Sequence, residues 1–172
     1  MDNFVLKEVK LLNEGGVYVE WFQKMKHNDG NGNDSVSWIE YKTNNPIHRH
    51  PDLNAAMDKI KIHVARIFGL LAIGMYKEEN DFTKQETDLL NGVLQNMEVN
   101  GISMTSEKNA GVVLKATKTV FNNRKVSLVT PLIPFESEGY DYAYELEDIA
   151  MEVEREVYAY LYEKKFAQLD LF

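Results

Sequence analysis

Histidine and carboxylate side chains gather at one place in the chain. His48-Arg49-His50 is followed by Pro51-Asp52, so two imidazoles and a carboxylate, all zinc-ligand types, fall close together. The fixed charge of Arg49 between the imidazoles opposes a dication. The competing reading is a loop with exposed histidines, in which Asp52 serves the N-terminus of a helix. His27 and His63 have no neighbours that complete a site, so no metal and no cofactor is expected. Thiol chemistry is excluded: the chain has no cysteine, which removes thiolate ligands, thiol nucleophiles and disulfides together. No GxxxxGK[ST] phosphate loop, GxGxxG, GxSxG or HExxH occurs. Phenols are the densest remaining groups, in Tyr140, Tyr142, Tyr144 and Tyr158, Tyr160, Tyr162. They read as half-buried core and interface residues, because stacking on a nucleic-acid base calls for basic neighbours and theirs are acidic.

Pro51-Asp52 also opens a pattern similar to that of the PD-(D/E)xK nucleases. That chemistry needs an acid-x-Lys on a following strand, so that two carboxylates hold one Mg²⁺ beside the lysine. The triplets Glu8-Val9-Lys10 and Glu163-Lys164-Lys165 precede Pro51 or lie on a helix. No catalytic set is assigned, and a non-enzymatic role is expected.

The chain ends Phe166-Ala167-Gln168-Leu169-Asp170-Leu171-Phe172. Its last five residues resemble the bacterial sliding-clamp-binding motif, Gln-Leu-(Ser/Asp)-Leu-Phe, at every position. The resemblance implies a short peptide docking in a hydrophobic pocket of the replication clamp. Gln168 would make the amide hydrogen bonds, Leu169 would take the smaller apolar subsite, Leu171 and Phe172 would fill the main pocket, and Asp170 matches a tolerant position. A peptide of this kind is expected to bind at about micromolar strength. The same residues admit a structural reading: Phe166, Leu169 and Phe172 recur at i, i+3, i+6 and would extend the last helix onto the core.

The elements that must carry these residues follow from periodicity. Phe4–Leu12 reads as a strand, with Phe4, Leu6 and Glu8 alternating against Val5, Lys7 and Val9. Strands are expected over Val17–Met25 and Ser35–Lys42, joined by the polar loop His27–Asp34. Pro51 opens a helix with the stripe Leu53, Met57, Ile60, Val64, Ile67, Leu71. Thr83-Lys84-Gln85-Glu86 has capping-box form and starts a short helix through Leu94. Strands follow over Glu98–Ser106, Gly111–Phe121 and Lys125–Leu132, with turns at Glu107–Ala110 and Asn122–Arg124. A long helix over Asp141–Lys164 closes the domain. The fold class is α+β: two consecutive βββα units, six main strands and two amphipathic helices covering one face of paired sheets or of a closed barrel. The halves match loosely at Asn13–Val19 against Asn109–Leu114, and at Thr43–Ile47 against Thr130–Pro134. That is the mark of an internal duplication or of two meanders that merely look alike.

Size and charge bound the rest. The 172 residues fit one domain, 1–165, with 166–172 as a clamp-binding-like tail. Apolar residues make up 44% and the net charge is −8. So acidic a chain argues against a non-specific coat of nucleic acid, while a small local basic patch remains allowed. No signal peptide is visible, and the longest uncharged apolar run, Ile67–Met75, is too short to span a bilayer. The expectation is a cytoplasmic protein with no membrane partner. A softer resemblance over most of the chain, carried by His50-Pro51-Asp52-Leu53, Gly101-Ile102-Ser103 and Glu156-Val157-Tyr158-Ala159-Tyr160-Leu161, is to small proteins of tailed phages and prophages encoded with replication and recombination genes. It implies no known catalytic activity. The leading reading is thus a phage accessory protein that binds the host sliding clamp, its folded domain holding a second protein partner or a second copy. The rival is an acidic binding module that inhibits a host defence or nucleic-acid enzyme, its cue the eight acids against two bases over 141–164.

Overall fold

The computed structural model describes residues 3–28, 34–72, 74–77, 81–105, 110–136 and 139–166. A meander of three strands, β1 (Phe4–Leu11), β2 (Val17–Asn28) and β3 (Asp34–Asn45), leads into helix α1 (Pro51–Ile67). Helix α2 (Lys84–Leu94) then precedes a second meander, β4 (Met97–Thr105), β5 (Gly111–Val120) and β6 (Arg124–Val129). The two-residue strand β7 (Ile133–Pro134) and helix α3 (Ala143–Tyr162) complete the chain's described elements. The α+β class and the two groups of three strands, each followed by an amphipathic helix, are as expected. β2 and β3 run further than their apolar alternation suggests, because polar residues continue the ladder from His27↔Ser35 to Tyr18↔Asn44. Residues 29–33 of the expected hairpin loop and 106–109 around the second turn lie outside the described residues.

The strands form one open antiparallel sheet in the order β3-β2-β1-β4-β5-β6, with β7 pairing β5. The order is symmetric about the β1–β4 pair, and the symmetry extends to detail. Val9 pairs with Ile102 at the centre. The ladder of β1 with β2 shifts register between Leu6 and Glu8, and that of β4 with β5 shifts between Val99 and Gly101. Lys7 and Asn100, the extra residues, are related by the same two-fold that exchanges Val9 with Ile102. The bulge at Lys7 overturns the simple alternation: Phe4, Leu6 and Val9 are buried together, and Glu8 turns to the opposite face.

Helices α1 and α3 lie against each other on one face of the sheet, α1 reaching β4 and β5 and α3 reaching β1. The core fills the space between, with Leu53, Met57, Ile60 and Val64 of α1 and Leu146, Val153 and Val157 of α3 almost fully buried against Leu6, Val9, Ile102 and Leu114. The start of α1 is as expected, with Pro51 and Asp52 in its first turn, and the cap is His50, whose Nδ1 accepts from the Asp52 N–H at 3.3 Å. At α2 the capping box forms as its spacing predicts, Thr83 Oγ1 accepting from the Glu86 N–H and Glu86 Oε2 from the Thr83 N–H.

The loosely matching segments of the two halves prove to share a contact. A Cβ placed on Gly16, at the entry to β2, would collide with the Asn45 carbonyl oxygen and lie 2.9 Å from Pro46 Cα. On Gly111, at the entry to β5, it would collide with the Ile133 carbonyl oxygen and lie 2.9 Å from Pro134 Cα. In each unit a glycine thus lets the segment leaving the third strand pass against the second. Neither backbone can yield without breaking its ladder. Gly16→Ala and Gly111→Ala are each expected to cost about 1–3 kcal/mol, read as a fall in melting temperature of a few degrees or more.

Candidate functional site

The His48–Asp52 segment and the C-terminal end of the described chain meet in space. Helix α3 stops at Tyr162, and Lys164 turns the backbone with φ 56°. Phe166 then bridges to Arg49 and sets its ring edge-on to Tyr160 at 5.1 Å. Phe166 is therefore not on the helix, and the reading in which Phe166, Leu169 and Phe172 prolong its apolar stripe fails at its first member. Tyr160 donates to the Ile47 carbonyl at 2.6 Å, while Lys165 Nζ lies 2.7 Å from both Asp52 Oδ2 and Glu156 Oε2. The chain is pinned to the entry of α1 two residues before Gln168. Gln168, Leu169, Asp170, Leu171 and Phe172 lie outside the described residues.

The residues that resembled a metal set are used structurally. Arg49 Nη1 donates to the Leu12 and Gly16 carbonyls at 3.2 and 3.1 Å, and its Nε donates to Asn54 Oδ1. The His48 ring packs over Gly15 and would collide with a Cβ placed there, and the φ of +88° at that position itself favours glycine. Asp52, held by Lys165, also faces His50 Nδ1 at 3.2 Å. Among the described residues no group of three or more histidines and carboxylates is placed to hold a metal ion.

Four of the acids on the last helix are likewise occupied. Glu145 takes Arg66 Nη1 at 3.1 Å, Glu152 takes Lys59 at 2.7 Å, and Glu156 takes Lys165. Glu154 Oε1 accepts from the Leu6 N–H at 2.8 Å, at a residue that lies beyond the Glu8–Lys10 ladder of β1 with β4. Much of the acidic face thus serves to fasten α3 to the rest of the domain.

A buried polar cluster joins the end of α1 to the start of α3, and nothing in the sequence singles it out. His63 and Arg66, three residues apart on α1, are both buried. His63 Nδ1 is 2.7 Å from the Tyr140 hydroxyl. Arg66 lies 3.6 Å over the Tyr142 ring and donates from Nη2 to the Lys77 carbonyl at 2.9 Å. Burial, then the nearby Arg66 charge, push the His63 imidazole down to about 3. Burial, offset in part by Arg66, pushes the Tyr140 hydroxyl well above its usual value. A general base works best with a pKa near the operating pH; an imidazole this weakly basic acts as an anchor. The cleft of about 440 Å³ beside the cluster, between Tyr76, Leu132 and Tyr142, is apolar over most of its wall.

The sheet face turned away from the helices has a different character. Here Tyr18, Glu20, Phe22, Lys24 and Lys26 of β2 stand opposite Asn44, Lys42, Glu40, Trp38 and Val36 of β3. Lys7 and Lys10 on β1, Lys115 on β5 and Lys125 on β6 extend the basic rows. Lysines and aromatic rings are in direct contact: Lys24 lies over Trp38 at 5.9 Å, Lys10 over Tyr18 at 4.8 Å and Lys7 over Phe22 at 5.5 Å. Glu8 is buried enough to raise its carboxyl, yet hydrogen bonds from Lys10, Lys115 and Ser103 outweigh this and hold it at about 2.

No protein-family model, curated protein or solved structure matches the chain. No helix among the described residues is long and apolar enough to cross a membrane.

Proposed function

We propose that the chain is a non-enzymatic phage or prophage accessory protein that binds the host replication sliding clamp through Gln168–Phe172, acting in DNA replication or recombination. The observation that carries this reading is the terminal pentapeptide, which fits the clamp motif at all five positions. Four specified residues coincide by chance about once in 10⁵ positions at ordinary composition. Two structural facts support it. The described chain is pinned at Phe166 by Arg49 and Tyr160, so the motif begins immediately beyond an anchored point. The rival reading, an acidic module docking through α3, loses Glu145, Glu152, Glu154 and Glu156 to contacts within the domain.

The test is a pull-down of purified bacterial sliding clamp by the full chain and by a chain lacking residues 168–172. Capture by the full chain alone is the expected result. Capture by neither, or equally by both, overturns the assignment of the site.

A further inference from the structure

The −8 net charge is unevenly distributed. The stretch 141–164, which forms α3 and its two ends, carries eight acids against two bases. On the open sheet face the sign reverses: among the described residues seven lysines stand against the four glutamates Glu8, Glu20, Glu40 and Glu98. Glu8, Glu20 and Glu98 lie toward the middle of the sheet and Glu40 on β3 opposite Phe22, and Lys7, Lys10, Lys42, Lys115 and Lys125 pair with these four at 3.9 Å or less. The excess falls on the outer half of the β2–β3 ladder, at Lys24 and Lys26. Beside them Trp38 is 50% exposed and Val36 is 51% exposed. A large indole left half in water beside Lys24 is not needed by the core, which lies on the other side of the sheet.

We infer that this open face, centred on Lys24, Lys26, Phe22 and Trp38, binds single-stranded nucleic acid. Charge complementarity favours phosphates, and the aromatic side chains select among polyanions. A base that is not paired offers a π-face to Trp38 and Phe22, whereas a duplex keeps its bases stacked on each other and an acidic peptide has no such face. The face sets lysines beside rings, Lys24 at Trp38 and Lys7 at Phe22, so that a cation for a phosphate and a ring for a base lie within one nucleotide's reach. A weak, salt-sensitive interaction is expected, because only a few lysines are in excess and the rest of the molecule repels the strand. This inference does not rest on the C-terminal motif.

Fluorescence anisotropy of a labelled oligothymidine, titrated with the full chain at low salt, tests it. Binding should weaken as salt rises, with log K falling by about 0.7 per phosphate neutralised for each tenfold change in salt. Trp38→Ala should lower the affinity about tenfold, in line with the usual loss of one stacked base, and Lys24→Glu with Lys26→Glu should lower it further and flatten the salt dependence. Trp38 and Lys26 are exposed and Lys24 is half-buried, none of them in the core, and an unchanged melting temperature confirms that both variants fold. Deleting residues 168–172 should leave the oligothymidine affinity unchanged, whatever it does to clamp binding. No binding at low salt, an unchanged affinity in the Trp38→Ala variant, or equal affinity for duplex or polyglutamate would each overturn the inference.

Discussion

Replacing Leu171 and Phe172 together with alanine is expected to remove clamp binding while leaving the fold as stable as before. A micromolar peptide has only about 8 kcal/mol of binding free energy. The two apolar anchors account for much of it, at about 2 kcal/mol or more each when truncated at a buried hot spot. Losing both weakens binding about a thousandfold, beyond the range of a pull-down and visible as a lost signal in calorimetry. Asp170→Ala should leave affinity nearly unchanged, because its position in the motif is tolerant. Phe166→Ala provides the contrasting control. Its ring packs on Tyr160, which is itself buried, so this truncation should lower the melting temperature. A fall in melting temperature for the Leu171→Ala, Phe172→Ala variant, with no clamp affinity in the parent, would instead place those side chains against their own domain.

The elements were legible in the sequence wherever one face of a segment had to be apolar. Val17, Val19 and Trp21 alternate with Tyr18, Glu20 and Phe22, and the structure buries the first set. In the α1 stripe Leu53, Met57, Ile60 and Val64 keep helical spacing and are all buried. Three features escaped for physical reasons. The bulge at Lys7 changes which residues of β1 face inward, and no residue type there announces it. The hairpin arm beyond Met25 pairs through its backbone, with little apolar alternation to reveal its length. His63 and Arg66 read as ordinary polar positions on a helix, since their partners Tyr140, Tyr142 and Glu145 come from a segment far along the chain. The repeat of the units was only faintly legible, because what the halves share is geometry at Gly16 and Gly111 and at the two bulges, which many sequences satisfy. The basic sheet face was hidden for a related reason: composition averages charges that the fold then separates onto two sides. For the tail the position is reversed. Its resemblance to the clamp motif stands out in sequence because a peptide of that kind is read residue by residue and needs no fold to assemble it.

The protein is expected to lose stability as the pH falls from 7 to 5, and His63 is the cause. In the unfolded chain its imidazole takes a proton near pH 6.5, but in the folded domain burial and the Arg66 charge hold it down to about 3. Glu145 Oε1, 3.9 Å from Nε2, favours the charged ring but does not prevail. Between these two values the unfolded state binds one proton more than the folded state, so unfolding becomes easier as pH drops. Each unit below 6.5 costs about 1.4 kcal/mol, which gives about 2 kcal/mol at pH 5. At this chain length that lowers the melting temperature by about 4–8 °C. The lowered carboxyls of Glu8, Glu20, Asp52 and Glu86 act in the same direction, but only once the pH nears their ordinary values of 4.5 or 3.8. The interval from 6.5 to 5 is therefore set mainly by the buried imidazole. His63→Gln retains a hydrogen-bonding group for the Tyr140 hydroxyl and cannot titrate. Its melting temperature should start lower at pH 7, because the packing is imperfect, and then change much less down to pH 5. A parent protein whose melting temperature is level over that interval, or a variant with the parent's slope, would show that the His63 imidazole is not kept neutral in the fold.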